Sequence, residues 1–310
     1  MSADIATLDV KEKQLAGESL YTKAFKRLRR DRLTLLSLAM ILFLLLFSFG
    51  APLWETIFNV SYSRTSTNTF AVPFTSEPKT DQDPDGGFNV LGTDDLGRDQ
   101  LARLARGGQI SIRIAVFAAI LSLVIGVSLG IFTGYYGGIV DDLIMWMITT
   151  ITSIPSLFLL IIVAAVLSPG PTTLILVLGL LGWTGTTRLV RGETLALRER
   201  EYIVSARALG SSDARIMFNH IAPNLISIVV VTLAQDIGGL LLAEAGLSFL
   251  GLGVQPPVPT WGNMLSNAQT FFTKGGHLVI FPGLLISITV LCMYIIGDGV
   301  RDAFDPTVND

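Results

Sequence analysis

Between two strongly apolar runs, residues 202–223 read Tyr-Ile-Val-Ser-Ala-Arg-Ala-Leu-Gly-Ser-Ser-Asp-Ala-Arg-Ile-Met-Phe-Asn-His-Ile-Ala-Pro. This stretch is polar and basic, and its composition favours helix. Charged side chains are costly inside a lipid bilayer, so the stretch is expected to lie in water beside a membrane. A segment of this kind in an apolar chain indicates a contact with a partner in the aqueous phase.

The local pattern predicts a helix, a glycine turn and a second helix. Residues 198–209 are predicted to be helical, and Gly210 suits the left-handed position that ends a helix. Ser211 or Ser212 can cap the next helix, and Asp213 is favourable in its first turn. The apolar contacts offered to a partner are Leu209, Ile216 and Met217, beside Arg207 and Arg215.

The composition is that of a membrane protein. Half of the 310 residues are apolar, 15% are charged, and the mean hydropathy is +0.59. The net charge of −3, with no dense basic face outside the N-terminal tail, gives no indication of a nucleic-acid partner. The single cysteine, Cys292, lies in an apolar run, so the chain has no disulfide framework of its own.

Six apolar runs are long enough to cross a bilayer, which takes about 20 helical residues. Lipid offers no hydrogen-bond partners, so each run is expected to be a helix. The predicted fold is therefore an all-α integral membrane protein with six transmembrane helices. The runs are approximately 33–54, 112–136, 140–167, 172–190, 224–246 and 278–298.

Basic residues orient these helices. Of the 22 Lys and Arg residues, eight lie in residues 1–32 and six in residues 188–223. The positive-inside rule then places both termini and the 188–223 connection in the cytoplasm. The first run is longer than the apolar core of a signal peptide, and no A-x-A-like site follows Phe49, so it is predicted to be an uncleaved helix.

The predicted organisation has five parts. They are a cytoplasmic tail at 1–32, with a basic surface helix over 21–32; a first transmembrane helix at 33–54; an extracytoplasmic loop at 55–109; a five-helix core at 110–302, with a cytoplasmic loop at 192–223; and a cytoplasmic tail at 303–310.

The extracytoplasmic loop contains a turn-like sequence, Leu91-Gly92-Thr93-Asp94-Asp95-Leu96-Gly97-Arg98-Asp99. Its three aspartates are candidate calcium ligands, but the EF-hand pattern with a distal glutamate is missing. The interpretation we favour is a turn closed by pairing of Arg98 with an aspartate.

Glycines in the second apolar run and a proline in the third predict features of those helices. Gly126, Gly130, Gly134 and Gly138 recur every four residues and predict a flat ridge for close packing, within the subunit or against another subunit. Pro155 lies in the middle of the third run, where the loss of a backbone hydrogen bond predicts a kink. The kink would serve either gating or the fit of a bent bundle.

Two carboxylates lie within the fifth run. Asp236 is near its middle, and Glu244 is two turns further toward the outside. A charge at the bilayer centre costs about 2.5–3.5 kcal/mol on insertion scales, so both are expected to face protein or water. Both are candidates for lining a pathway. The alternatives are an interhelical hydrogen bond for Asp236 and a brace of the following turn for Glu244.

The motif Ser205-Ala206-Arg207-Ala208-Leu209-Gly210, with Pro223 thirteen residues later, resembles the EAA loop of ABC importer permeases. Val204 stands where that family has its leading glutamate, and Ser205 replaces its first alanine. Other stretches resemble signatures of the dipeptide/oligopeptide/nickel branch of the family. They are residues 91–99, 244–253, 255–257, 261–262 and 297–306. The first helix together with residues 91–99 resembles the C-type permease subunit.

The resemblance implies a type I importer permease with both termini cytoplasmic and the last five helices forming its core, in a bacterial or archaeal cell membrane. The implied partners are a homologous B-type permease, two ABC ATPase subunits and an extracytoplasmic substrate-binding protein. The chain has no G-x-x-x-x-G-K-[ST] motif, so ATP and Mg²⁺ are expected on the ATPases, and no catalytic, cofactor or metal site is expected here. The residues expected to couple the chain to the ATPases are Ser205, Ala206, Arg207, Ala208, Leu209, Gly210, Ser211, Ser212, Asp213 and Pro223.

The substrate class stays open between peptides and nickel, glutathione or oligosaccharides, since selection in such importers usually lies on the binding protein. A channel or an ion-coupled carrier, with Asp236 as its ion site, is the alternative from another class. An intramembrane protease is disfavoured because the two histidines, His220 and His277, are placed at opposite interfaces.

Overall fold

The computed structural model describes residues 20–76, 87–266 and 268–304, which form a bundle of long helices. Predictions for residues 1–19, 77–86 and 305–310 lie outside the described residues. The helices are α1 Leu20–Leu28, α2 Arg32–Phe49, α3 Ala51–Ile57, α4 Gln100–Tyr136, α5 Gly138–Thr152, α6 Ser156–Val166, α7 Pro171–Arg198, α8 Glu201–Ala208, α9 Asp213–Ile216, α10 Ile226–Phe249, α11 Ala268–Lys274 and α12 His277–Phe304. A π-turn at Met217–Ile221, 3₁₀ turns at Ala222–Leu225 and Asn263–Leu265, and the antiparallel strands β1 Thr75–Ser76 and β2 Phe88–Asn89 complete the elements.

A glycine ridge joins α4 to α7. A Cβ atom built on Gly126, Gly130 or Gly134 would lie only 2.6–2.7 Å from the Cβ of a residue of α7. The facing residues, in the same order, are Thr186, Val190 and Thr194. Gly138 is not part of the ridge, because it follows the end of α4, has φ +57° and has no atom within 4 Å of its Cβ position. The ridge is therefore three glycines long and packs within the subunit.

The direction of these two helices determines the number of membrane crossings. Among the described residues, five helical stretches are long and apolar enough to cross a membrane, and the pair α5 and α6 passes the same test as one bent unit. Residues of α4 face residues of α7 in the same chain order, so the two helices are parallel. The chain must cross back between two parallel helices, and α5 with α6 makes that crossing. The fold predicted from the sequence, with six membrane-spanning helical units, is confirmed.

The third apolar run is broken rather than kinked. α5 and α6 meet at an angle of 83°. Pro155 has no backbone N–H, and its ring clashes with the carbonyl four residues earlier. It also disfavours the helical conformation of Ile154 before it. The helix therefore ends before the proline and restarts at Ser156.

Two helices extend beyond the apolar runs. α4 begins at Gln100 rather than near residue 112, because the Asp99 carboxylate caps it by accepting a hydrogen bond from the Ala102 amide at 2.7 Å. α7 continues to Arg198, so the polar connection after it is shorter than the expected loop at 192–223. Apolarity marks the lipid-covered part of a helix and not the turns that project into water.

The loop before α4 is organised around Asp94. Its carboxylate accepts hydrogen bonds from the Leu96 and Arg98 amides, both at 2.9 Å, and from Arg98 Nε at 2.7 Å. Arg103 of α4 adds its own Nε at 3.2 Å. The expected Arg98–aspartate pair is present, and Arg103 is a further partner. Within the described ranges, no group of three or more His, Cys, Asp or Glu side chains is placed to hold a metal ion.

The described ends of the chain lie at one end of the bundle. α12 ends beside the start of α10, where Gly297 faces Val231. Thr34 at the start of α2 packs against Gly299 of α12, and α1 also contacts α12. Because α10 begins where the polar stretch 202–223 ends, this is also the end of the bundle that carries that stretch.

Candidate functional site

The polar stretch folds as a compact segment between α7 and α10, residues 201–225. α8 ends at Ala208 with Leu209 as its C-cap, and Gly210 adopts φ +81°, a left-handed conformation that favours glycine. The Ser212 hydroxyl then accepts a hydrogen bond from the Arg215 amide at 3.4 Å and caps α9. The π-turn and the 3₁₀ turn carry the chain into α10. The glycine turn and the serine cap are where the sequence pattern predicted them.

Tyr135, at the end of α4, ties this segment to the bundle. Its hydroxyl donates a hydrogen bond to the Asp213 carboxylate at 2.7 Å. The guanidinium of Arg207 lies over its ring, 5.6 Å from the centroid, and Arg198 donates to its carbonyl at 3.0 Å. One residue of α4 therefore contacts α7, α8 and α9. Local sequence patterns did not indicate Tyr135, because Asp213 and Arg198 are 78 and 63 residues away in the chain.

An apolar cluster holds the inner side of the segment. Ile203, Ile216 and Ile221 are fully buried, and Met217 and Leu225 are nearly so. From the bundle, they pack against Ile131, Tyr135 and Val190. The sequence analysis offered Ile216 and Met217 as contacts for a partner, and this is wrong, because α9 and the π-turn present that side to α4 and α7. Burial of such side chains stabilises the segment's position by about 1.5–3 kcal/mol each.

The outer side of the segment exposes apolar and basic side chains together. Leu209 is 87% exposed at the turn, and Phe218 is 68% exposed on the π-turn. Gly210 has no atom within 4 Å of its Cβ position. Among the other residues expected in this site, Ser205, Arg207, Ala208, Ser212, Asp213 and Pro223 are exposed, whereas Ala206 and Ser211 are half-buried. Apolar side chains presented to water beside arginines are typical of a protein-contact surface.

Residues 126–310, which include this segment, match the family described as binding-protein-dependent transport system inner membrane component. The chain belongs to this family. Residues 19–81 of the permease match the N-terminal transmembrane domain of oligopeptide transport permease C. The permease is thus a multi-pass membrane subunit of an ABC importer.

Curated relatives align with most of the permease. It is 35% identical to the oligopeptide transport system permease protein OppC of Haemophilus influenzae, over 96% of the chain and 92% of that relative. It is also 35% identical to the dipeptide transport system permease protein DppC of Alkalihalophilus pseudofirmus, over 95% and 92%. It is 43% identical to the glutathione transport system permease protein GsiD of Escherichia coli, over 70% and 72%.

A solved chain of the inward-facing MetNI methionine ABC transporter shares the fold. It matches with a TM-score of 0.52 at 20% identity, covering 65% of the permease and 96% of that chain. The type I importer architecture expected from the sequence is confirmed.

Asp236 bridges two helices of the permease. Its carboxylate on α10 accepts a hydrogen bond from the Thr186 hydroxyl on α7 at 3.3 Å, and the residue is half-buried. Thr186 also packs on Gly126 of the ridge. Asp236 therefore lies where α4, α7 and α10 meet, and the interhelical hydrogen bond considered in the sequence analysis is present.

Glu244 is completely enclosed. It accepts a hydrogen bond from the Ser248 hydroxyl at 2.7 Å, and that hydroxyl accepts one from the Val254 amide at 3.3 Å. The loop that follows is fastened to α4 by Trp261, whose indole donates to the Leu104 carbonyl at 2.9 Å. Glu244 therefore braces the turn after α10, and its side chain does not face an open path in this structure.

Proposed function

We propose that this permease is the C-type subunit of an ATP-driven importer and forms half of the translocation pathway for peptides or similar small solutes. Its partners in this proposal are a homologous B-type permease, two ATPase subunits that bind ATP and Mg²⁺, and an extracytoplasmic substrate-binding protein. The main support for this proposal is the exposure of one turn. The exposed Leu209-Gly210 turn projects from a segment that α4 and α7 hold by a buried cluster.

In this proposal the 201–225 segment is the surface on which the ATPase acts. Leu209 and Phe218 enter an apolar recess of the ATPase, and the arginines beside them contact its acidic rim. When two ATPase subunits close on ATP, the segment moves with them. Tyr135 and the buried cluster pass that displacement to α4 and α7, which alternates access between the two sides of the membrane.

Basic residues support the orientation. The end of the bundle that carries the 201–225 segment also carries most of the Lys and Arg residues. We place this end in the cytoplasm by the positive-inside rule, in the cell membrane of a bacterium or archaeon. The loop around Asp94 is then extracytoplasmic.

Peptides are the substrate class that the comparisons support best. The N-terminal match is to an oligopeptide permease domain, and two relatives that align over nearly the whole chain are named for oligopeptide and dipeptide transport. Glutathione is the next candidate, because the GsiD relative is 43% identical over 70% of the chain. Nickel and oligosaccharides are candidate substrates only through the resemblance of the sequence motifs to the family.

A break at Pro155 supports a role of α5 and α6 in the pathway. The break borders a cavity of about 420 Å³ whose lining includes Ile151, Pro155, Leu178 and Leu240. We infer that this cavity is part of the wall past which the substrate moves. Asp236 lies on α10, as Leu240 does, and its partner Thr186 lies on α7, as Leu178 does. We propose that the exposed part of Asp236 faces the pathway.

Transport in sealed vesicles tests the proposed function. The permease is reconstituted with its ATPases, its permease partner and the binding protein, and uptake of a labelled peptide is measured with and without ATP on the ATPase side. We expect uptake to require both ATP and the binding protein. Uptake driven by a membrane potential alone, and lost in Asp236→Asn, would instead establish an ion-coupled carrier.

The coupling role of the turn has its own test. In Gly210→Val, a β-branched residue must adopt φ +81°, at a cost of about 1–2 kcal/mol, in open space that leaves the bundle intact. We expect normal membrane insertion and loss of ATP-driven uptake. Gly138→Val is the matched control, since Gly138 also has positive φ and open surroundings but lies outside the segment. Normal uptake by Gly210→Val would contradict the coupling role.

A further inference from the structure

A second cavity, of about 220 Å³, lies at the opposite end of the bundle from the 201–225 segment. Its walls are the Asp94 loop, the first turn of α4, the loop that follows α10, and α11 with the start of α12. Two residues of α4 on this wall are almost completely buried, Gln100 with 1% and Arg103 with 7% exposure. Gln100 Nε2 and Arg103 Nη1 make no hydrogen bond to any residue that the structure describes.

Two buried donors without a partner, on residues three apart in one helix, are unusual inside a protein. A buried N–H group without a partner destabilises the fold, and more so when it is charged. Residues three apart on a helix lie on the same face, so the two donors serve the same side of α4. Their pairing on one cavity wall indicates that an acceptor is supplied there from outside the chain.

Most of the other polar groups around the cavity are already engaged, and the Asp95 carboxylate, which also lines it, pairs with Arg98 at 3.8 Å. Asp94 accepts hydrogen bonds from two amides and from Arg98 Nε, and it forms an ion pair with Arg103 Nε at 3.2 Å. The Asn263 amide group donates to the Val254 and Val258 carbonyls at 3.0 and 2.9 Å. The oxygen of Asn263 accepts from the Thr260 amide at 2.9 Å. Among the described lining residues, the buried groups without a partner are therefore both donors.

We propose that this cavity binds a carboxylate group, held by Arg103 Nη1 and Gln100 Nε2. An arginine N–H to a carboxylate is a charge-assisted hydrogen bond, about twice as strong as a neutral one. The rest of the lining includes Met264, Phe271 and Leu278, which suit a short aliphatic stem behind the carboxylate. The carboxylate comes either from the end of a peptide in transit or from an acidic side chain of the docked binding protein.

The assignment of these two sources rests on the proposed function, in which this end of the bundle faces the outside. The cavity itself does not depend on it. Three variants test the site. Gln100→Leu removes one donor, and Gln100→Glu places a carboxylate of the chain itself beside Arg103. Gln109→Leu is the control, because Gln109 is also buried on α4 but lies outside the cavity lining.

The measurement is the unfolding temperature of the assembled complex in nanodiscs, titrated with sodium acetate against sodium chloride at constant ionic strength. We expect acetate to raise this temperature in the wild type and in Gln109→Leu. In Gln100→Leu the acetate concentration needed should rise about tenfold or more. Gln100→Glu should unfold at a higher temperature without acetate and respond no further. An absent response in the wild type, or equal responses in all variants, would mean that the cavity holds only water and would overturn the proposal.

Two further measurements separate the sources. If the peptide supplies the carboxylate, amidation of its C-terminus should remove the part of uptake that depends on Gln100. If the binding protein supplies it, Gln100→Leu should weaken its affinity for the complex whether or not peptide is bound. An effect on neither would overturn a role of the site in the importer. A positive acetate titration without ATP-driven uptake would reject the proposed function and leave the site, so the two failures are distinguishable.

Discussion

Replacement of Gly130 by alanine measures how closely α4 and α7 pack. A Cβ at this position would lie 2.7 Å from Val190 Cβ, whereas carbon atoms in contact prefer about 3.5–4.0 Å. The helices must then separate locally by about 1 Å, and overpacking of this kind costs about 1–3 kcal/mol. Alanine also gains about 1 kcal/mol of helix propensity over glycine, which hides part of that cost.

Gly185→Ala is the control that measures the gain in helix propensity without the packing cost. Gly185 lies inside α7 and has no atom within 4 Å of its Cβ position, so the substitution there brings the propensity gain alone. The difference between the two variants isolates the packing cost, and we expect Gly130→Ala to be less stable than Gly185→Ala by about 1–3 kcal/mol. Reversible unfolding of the permease in mixed micelles gives both values. Equal stabilities would refute the ridge as a tight contact within the subunit.

Three other perturbations have clear expected outcomes. Asp94→Asn removes the counter-ion of the buried Arg103 and should destabilise the permease by about 3–5 kcal/mol in the same unfolding assay. Asp95→Asn should cost at most about 1 kcal/mol, because the ion pair of Asp95 with Arg98 is longer and more exposed. Tyr135→Phe loses the hydrogen bond to Asp213 in the 201–225 segment but keeps the ring under Arg207. ATP-driven uptake should therefore fall, while binding of the ATPase in a pull-down is retained. Loss of both would contradict the proposal that Tyr135 passes the movement of the segment to α4. Asp31 caps α2, and its hydrogen bond with the Thr34 hydroxyl lowers its pKa, so the cap is complete at neutral pH and is lost as the pH falls through that lowered pKa. Acid should therefore reduce thermal stability more in the wild type than in Asp31→Ala. Equal reductions would exclude the cap as a source of stability.

The apolar runs and local motifs were sufficient to predict the membrane fold and the turn and cap within residues 201–225. Each long run is helical, because lipid leaves the backbone no other partner. The turn at Gly210 and the cap at Ser212 were predictable from residue type, since only the chain neighbours take part in them. The pairing of Arg98 with Asp94 was predictable for the same reason, as the two are four residues apart.

Features that depend on distant contacts were beyond the sequence patterns. Tyr135 is typical of an interfacial aromatic residue in the sequence, and its contacts with Asp213 and Arg207 appear only in the folded chain. The same holds for the burial of Ile216 and Met217, which depends on where α4 ends. At Pro155 the pattern indicated the place of the bend but not its size, because the bend angle depends on what packs around the break.

The length of α4 has a consequence for both faces of the permease. Its 37 residues make a continuous rod of about 55 Å, longer than the 40–45 Å of a bilayer with its headgroups. One end carries Gln100 and Arg103, and the other carries Tyr135. A tilt of about 5° around its centre displaces each end by roughly 2 Å in opposite directions. A ligand at the Gln100 end that prefers one tilt of α4 must then change the affinity of the Tyr135 end for its own partner. By thermodynamic reciprocity, that partner changes the affinity for the ligand by the same factor.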